Sequence, residues 1–414
     1  MKKIEYQVHV LANGLRVIVY EANHIPRVTV NLLYNVGAKD ENPNKTGFAH
    51  LFEHLMFGGS RNIPSYDTPL QNAGGENNAF TTNDITNYYI SLPSHQLELA
   101  FWLESDRMLE LDFSQKSLDI QKSVVIEEFK QRYLNQPYGD AHLLLRPIHY
   151  TKHPYQWPTI GKEISHIEDA TLEDVVNFFY GFYAPNNATL VVAGDVKTSE
   201  VLQLAQKWFG DIPARTLMKR PLPKEPKQTQ ARFATVTRDV PYAGVYKAWH
   251  IPERTHPDYY ALDLITDLLS GGRTGKLFQY LVKEQEIAHS IAAFSWNAFD
   301  PGMISIDGKI NPGHSVEAYE EAVARVMDNL MDVNAKDLQR VKNKAEASAE
   351  TEFTSLMNIG LSLAIGDSLG NPDLVNQTLP NYLEVSREDI HRVTSKYLTP
   401  ENCSTLYYLP QNEH

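Results

Sequence analysis

Residues 47–59 read Gly-Phe-Ala-His-Leu-Phe-Glu-His-Leu-Met-Phe-Gly-Gly. Within them His50 and His54 are four apart, a spacing that on a helix stacks two imidazoles on one side, and Glu53 projects close to the same face. Two imidazoles beside a carboxylate suit a divalent metal and a proton acceptor. Two surface or core histidines on one helix would give the same pattern, but random placement yields only roughly 0.04 such pentapeptides in a chain of this composition.

A catalytic zinc usually takes three protein ligands and keeps a fourth position for water, so one more donor is needed from elsewhere. Downstream, Ser117 to Tyr133 has helical spacing of Leu118, Val125 and Phe129 and places Glu127 beside Glu128. Adjacent helical positions point about 100° apart, so only one of the two can face a metal. Read alone, either is equally a solvated helix carboxylate.

The pentapeptide is similar to the H-x-x-E-H signature of the inverzincin metallopeptidases. Gly47 to Gly59, with the segments below, resembles the pitrilysin/insulinase family, closest to its short bacterial and mitochondrial-processing-peptidase-like members. The resemblance implies one Zn²⁺ ion held by His50, His54 and a third ligand in a helix of the type E-R-x-x-V-x-x-E, a register that falls on Glu128. It also implies that Glu53 is the general base. Gln121 and Lys122 stand where the family often has Glu-Arg. Asn78-Ala79-Phe80-Thr81, followed by Thr86-Asn87-Tyr88-Tyr89, resembles the family's substrate-binding strand, which lies at a sheet edge and takes the peptide as an added strand. Without the resemblance, Asn78 reads as a turn residue and Phe80 as a core aromatic.

A chain of 414 residues exceeds what one core usually serves. An apolar fraction of 42% with 21% charged residues is ordinary for a globular protein, and no apolar run approaches the length of a membrane span. The start, Met1-Lys2-Lys3-Ile4-Glu5, has no apolar core of a signal peptide, so a cytoplasmic location is expected, or a periplasmic one if a leader was removed. Cys403 is the sole cysteine, which rules out an internal disulfide. A net charge of −13 argues against nucleic acid as partner.

Strand and helix patterns alternate. Tyr6 to Leu11, the Asn13-Gly14 turn and Arg16 to Tyr20 read as a hairpin, and Val28 to Val36 as a further strand. Prolines 213, 221, 223 and 226 mark a linker. On its two sides, Thr171-Leu172-Glu173-Asp174 leading to Pro185-Asn186-Asn187 matches Ser386-Arg387-Glu388-Asp389 leading to Pro400-Glu401-Asn402 without gaps. Phe48 to Gly59 similarly matches Tyr260 to Gly272, where Leu262 to Asp267 contain no histidine or glutamate. The expected fold is α+β: two homologous α/β domains, each a mixed antiparallel sheet covered by helices, produced by internal duplication and facing across a cleft. The domains expected are 1–212, zinc-binding, and 232–414, metal-free, joined by the proline-rich linker 213–231.

The resemblance further implies an Arg and, seven residues later, a Tyr from the second domain. Their register falls on Val282, which cannot donate a hydrogen bond, and on His289, which can stand in for the Tyr or be structural. Loss of such donors costs roughly a hundredfold or more in rate. A heterodimer is therefore expected, in which this chain bears the metal and a metal-free paralogous subunit supplies the donors; a homodimer is the other arrangement. The expected activity is zinc endopeptidase action on peptides or unfolded segments. The alternative is a non-catalytic assembly or peptide-binding subunit of the same fold. Gly271 to Leu277 lacks the spacing and the Ser or Thr of a phosphate loop, and the sequon at Asn187-Ala188-Thr189 carries little meaning without a secretory signal.

Overall fold

The computed structural model describes residues 3–220, 222–296 and 298–411; Pro221 of the expected linker and the extreme terminal residues of the two expected domains lie outside them. The fold is mixed α/β on two sheets. The first has strands β1 (Gln7–Val10), β2 (Arg16–Glu21), β3 (Arg27–Tyr34), β4 (Glu76–Thr81), β5 (Thr86–Pro93) and β6 (Ala188–Gly194), in the order β1-β2-β6-β3-β5-β4. The second has β7 (Arg232–Arg238), β8 (Gly244–His250), β9 (Ala288–Trp296), β10 (Met303–Ile310) and β11 (Cys403–Pro410), in the order β7-β11-β8-β10-β9.

Leaving out β1, the two sheets have one topology. The first pair in each is parallel (β2 with β6, β7 with β11), and every later pair is antiparallel. The capping devices of the repeat recur as well. Thr171 Oγ1 accepts from Asp174 N at 3.2 Å and Ser386 Oγ from Asp389 N at 3.0 Å, and each Asp returns a carboxylate to the cap residue's own N–H. Helices Leu172–Phe182 and Arg387–Tyr397 then pass through single turns, Pro185–Asn187 and Pro400–Asn402, into β6 and β11.

Burial follows strand position. β6 is buried at every residue and β3 at all but its first, which is why both read as continuous apolar runs rather than alternating ones. β1 and β4, at the edges, are mostly exposed or half-buried.

Two compact units emerge, and each draws one segment from the other half of the chain. The first gathers residues up to Phe129, Trp157–Leu222 and Glu350–Gln377; the second gathers Lys130–Gln156, Pro223–Ala349 and residues from Thr378 on. Helix Leu356–Ser368 thus lies on β6 and β3, where Asp367 accepts from Arg16 Nε at 2.7 Å and from Thr189 Oγ1 at 2.7 Å. Helix Ala141–His149 lies on β11 and β8, with Leu145 packed among Tyr246, Leu406 and Tyr408. The two helices begin 215 residues apart, the offset of the repeat. The linker has no regular structure in its described residues, and its ends are tied to different units. Arg215 Nη1 donates to Tyr183 O at 2.6 Å, whereas Glu225 accepts the N–H groups of Thr151, Lys152 and His153 at 2.8–3.0 Å. Among the described residues no helix is long and apolar enough to cross a membrane.

Candidate metal centre

Helix Phe48–Leu55 begins at Gly47, whose φ of 89° suits glycine and whose Cβ would meet Ile160 O at 2.8 Å. No side chain of the usual capping kind serves it. Instead the buried carboxylate of Glu41 accepts from Gly47 N at 2.9 Å and Ala49 N at 2.8 Å, filling two of the orphan donors of the first turn. Burial pushes this carboxyl up to about 8, against the downward pull of those two N–H groups.

The helix buries Phe48, Ala49, Leu51, Phe52 and Leu55. Phe52 packs its ring 5.1 Å from that of Phe178 and 4.9 Å from that of Tyr183. With that face fixed in the core, His50, Glu53 and His54 are turned to the opposite side, each half-buried. The imidazoles stand 4.8 Å apart, centre to centre, and perpendicular.

Helix Gln115–Phe129 packs on this helix, anchored by buried Leu118, Val125 and Phe129. Gly58 permits the approach, since a Cβ there would meet Ser117 Oγ at 2.5 Å. In the resulting register Glu127 is exposed and Glu128 turns inward. Glu128 Oε2 lies 3.6 Å from His50 Nε2 and 3.6 Å from His54 Nε2. The donor atoms of all three lie within 4.8 Å of one another, the sole such cluster among the described residues. Metal–ligand bonds of 2.0–2.2 Å in tetrahedral geometry put ligand atoms about 3.3 Å apart, so the set fits a zinc ion with small adjustments. Immediately after Phe129 the helix gives way to a π-helical turn, Lys130–Leu134, a feature common at functional sites. Lys122, six residues before Glu128, is engaged elsewhere: its ammonium donates to the carbonyls of Glu168 and Ala170.

Glu53 Oε2 accepts a 2.6 Å hydrogen bond from Thr81 Oγ1, at the end of β4. β4 is an edge strand, paired only with β5 in the register Asn78↔Tyr89, Ala79↔Tyr88, Phe80↔Asn87, Thr81↔Thr86. Asn78 is exposed and Phe80 half-buried. The Ala79 N–H donates to Asn78 Oδ1 at 2.8 Å rather than to a further strand.

In the second unit the metal-helix counterpart is Asp258–Ser270, packed on edge strand β9 as Phe48–Leu55 packs on β4. Leu262 and Ile265 there are fully buried and Thr266 bonds to the carbonyl of Asp263, so the positions matching His50, Glu53 and His54 serve the core. Val282 lies in a π-helical turn, Phe278–Glu284, and packs against the same core. His289 is exposed on β9, its ring stacked on Tyr242 at 5.1 Å and 15°. Tyr242 is held by Tyr138, whose hydroxyl donates to Tyr242 O at 2.9 Å and accepts from Tyr242 N at 3.1 Å.

Comparison with known proteins places these features in context. A model described as "Insulinase (Peptidase family M16)" matches residues 16–158, and one described as "Peptidase M16 inactive domain" matches residues 169–345. The zinc protease PqqE of Helicobacter pylori is 29% identical over 97% of this chain and 92% of its own length. A probable mitochondrial-processing peptidase subunit beta of Arabidopsis thaliana is 23% identical over 95% of this chain and 76% of its own. A crystal structure of a protease from Helicobacter pylori superposes with a TM-score of 0.92 at 27% identity, covering 98% of this chain and all of the other.

Proposed function

The chain belongs to the insulinase family, peptidase family M16, and from that premise we propose that it is a zinc-dependent endopeptidase acting on peptides or unfolded segments. The observation that carries this reading is the convergence of His50, His54 and Glu128, with Glu53 alongside and held from the edge strand. His50, His54 and Glu128 hold the ion. Zinc, when bound, lowers the pKa of water and polarises a carbonyl. Glu53 takes the proton of the attacking water and delivers it to the leaving amine. The substrate lies along β4 as an added strand and takes the Ala79 N–H now used by Asn78. Addition to a strand edge selects extended backbone rather than folded surface, which restricts substrates to flexible segments.

The test is zinc content measured together with cleavage of a quenched peptide library, with and without chelator. One zinc per chain and chelator-sensitive cleavage support the reading; cleavage that survives complete zinc removal rejects it.

A second reading bears on how activity is completed. Val282 and His289 offer no Arg and no Tyr at the positions where the family supplies substrate and oxyanion donors. On that basis the chain acts as the metal-bearing subunit of a heterodimer with a metal-free paralogue. The alternative is a non-catalytic assembly or peptide-binding subunit of the same fold, which zinc and peptide binding without cleavage would reveal.

A further inference from the structure

Thr81 belongs by sequence to the substrate strand, yet its hydroxyl is engaged away from the strand's open edge. Side chains alternate across a strand, so Thr81 shares a face with Ala79 and Asn77, while Asn78 and Phe80 share the other. The face of Thr81 lies toward helix Phe48–Leu55, and its Oγ1 donates to Glu53 Oε2 at 2.6 Å. That is the length of a strong, charge-assisted O–H···O bond.

The hydroxyl is also rigidly placed. Immediately after Thr81 the chain turns through Thr82 to Ile85, where Thr82 Oγ1 accepts from Asp84 N and Ile85 N at 3.0 Å each. The turn is pinned from outside the hairpin. Ala38 N donates to Thr82 O at 3.1 Å, Lys39 pairs with Asp84 at 2.8 Å, and Asn83 Nδ2 donates to Trp157 O at 3.1 Å. A carboxylate on a short helix has two free torsions near its end; a fixed donor on one oxygen removes most of that freedom.

Resting on the endopeptidase reading above, we infer that Thr81 is a positioning residue for the general base. It orients the Glu53 carboxylate for proton transfer, and it ties that orientation to the strand on which the peptide is laid. Thr81 therefore acts on turnover rather than on peptide affinity, in contrast to Asn78 and Ala79 on the same strand. The bond transfers no proton: Thr81 keeps its hydrogen throughout, and the water proton travels by way of Glu53 alone.

The experiment compares Thr81→Val, Thr81→Ala and Thr81→Ser in the full chain, reading kcat and KM for one quenched peptide, zinc per chain, and affinity of the zinc-depleted protein for the same peptide. Removal of the hydroxyl in Thr81→Val or Thr81→Ala should lower kcat about 10- to 100-fold, the scale of a misplaced catalytic group. KM, zinc content and peptide affinity should stay within about twofold. Thr81→Ser, which restores the donor, should recover kcat to within about threefold of the wild type. Unchanged kcat in Thr81→Ala, or a change in KM and peptide affinity without one in kcat, overturns the inference, as does failure of Thr81→Ser to recover turnover when Thr81→Ala has lost it. Near-native turnover in Glu53→Gln rejects the endopeptidase mechanism, whereas an inactive Glu53→Gln beside a fully active Thr81→Ala rejects only the role of Thr81.

Discussion

Glu128 Oε2 lies 3.6 Å from His50 Nε2, although the two residues come from different helices and neither helix alone makes a site. That separation is close to the edge of a tetrahedral zinc shell, so under the proposed function Glu128, rather than its exposed neighbour Glu127, is the candidate third ligand. Glu128→Gln should lower zinc affinity at least 100-fold and remove activity with it, while Glu127→Gln, on the exposed side, should leave both within about twofold. Zinc titration by competition with a chromogenic chelator distinguishes the two variants.

Glu41 supplies a second expectation. It fills two donors at the start of the metal helix from a position where it is itself fully buried, so truncation leaves both N–H groups unpartnered. Glu41→Ala should destabilise the fold by about 2–3 kcal/mol, combining loss of a cap with a desolvated donor. Glu41→Gln, which keeps an acceptor and needs no charge in an apolar site, should cost less than Glu41→Ala. Chemical denaturation of the zinc-depleted variants orders the three.

The paired histidines of the second unit give the pH dependence. His149 and His250 stack at 3.6 Å, and burial holds His149 well below the usual histidine range and His250 at about 4. A depressed folded-state value means that the unfolded chain binds the extra proton first. The stability these groups contribute is fully present above about 6.5, the unfolded value, and is lost as pH falls toward 4. For His250 alone the loss is about 3 kcal/mol. His250→Phe should flatten this part of the stability profile, as read by melting temperature between pH 7 and pH 4; an unchanged slope would contradict the assignment.

How much of this was legible in the sequence depends on the range of the interaction. His50, Glu53 and His54 are one helical turn apart, so their spacing alone declared the shared face. The capping boxes at Thr171 and Ser386 are equally local, and they carried the internal repeat into two sheets of one topology. Glu128 needed the family resemblance, because helical geometry admits Glu127 or Glu128 and only packing against Phe48–Leu55 selects between them. The exchange of Ala141–His149 and Leu356–Ser368 had no sequence signal: each helix is amphipathic, or simply apolar, and nothing in such a pattern names the sheet it covers. Glu41 was invisible for a related reason. A carboxylate capping a helix six and eight residues downstream belongs to no common motif, and acidic residues are ordinarily exposed. Tyr242 has no sequence signal either, since its stacking on His289 joins segments far apart in the chain.

Asn78 bears on substrate capture. Its side chain occupies the Ala79 N–H that an added strand would use, so Asn78→Ala removes an internal competitor together with a proposed peptide-binding side chain. Under the proposed function the loss of that side chain dominates, and KM should rise about 10-fold with kcat little changed. Steady-state kinetics on a peptide series read this directly; a fall in KM would show that Asn78 only masks the edge.

Val282 and His289 bear on the proposed heterodimer. With Val282 and His289 in place of an Arg and a Tyr, the isolated chain should cleave slowly, and a metal-free paralogue should raise kcat by about 100-fold or more. Mixing the two purified proteins at increasing ratio and following quenched-peptide cleavage tests this, with full activity of the chain alone as the contrary result.

The most direct measurement is turnover and zinc content of Glu53→Gln, determined on the same preparation as the wild type. Loss of at least about 1,000-fold in kcat with one zinc still bound per chain is expected of a base that is not a ligand. Near-native turnover in that variant, or zinc lost along with activity, would contradict the assignment of Glu53 on which the account stands.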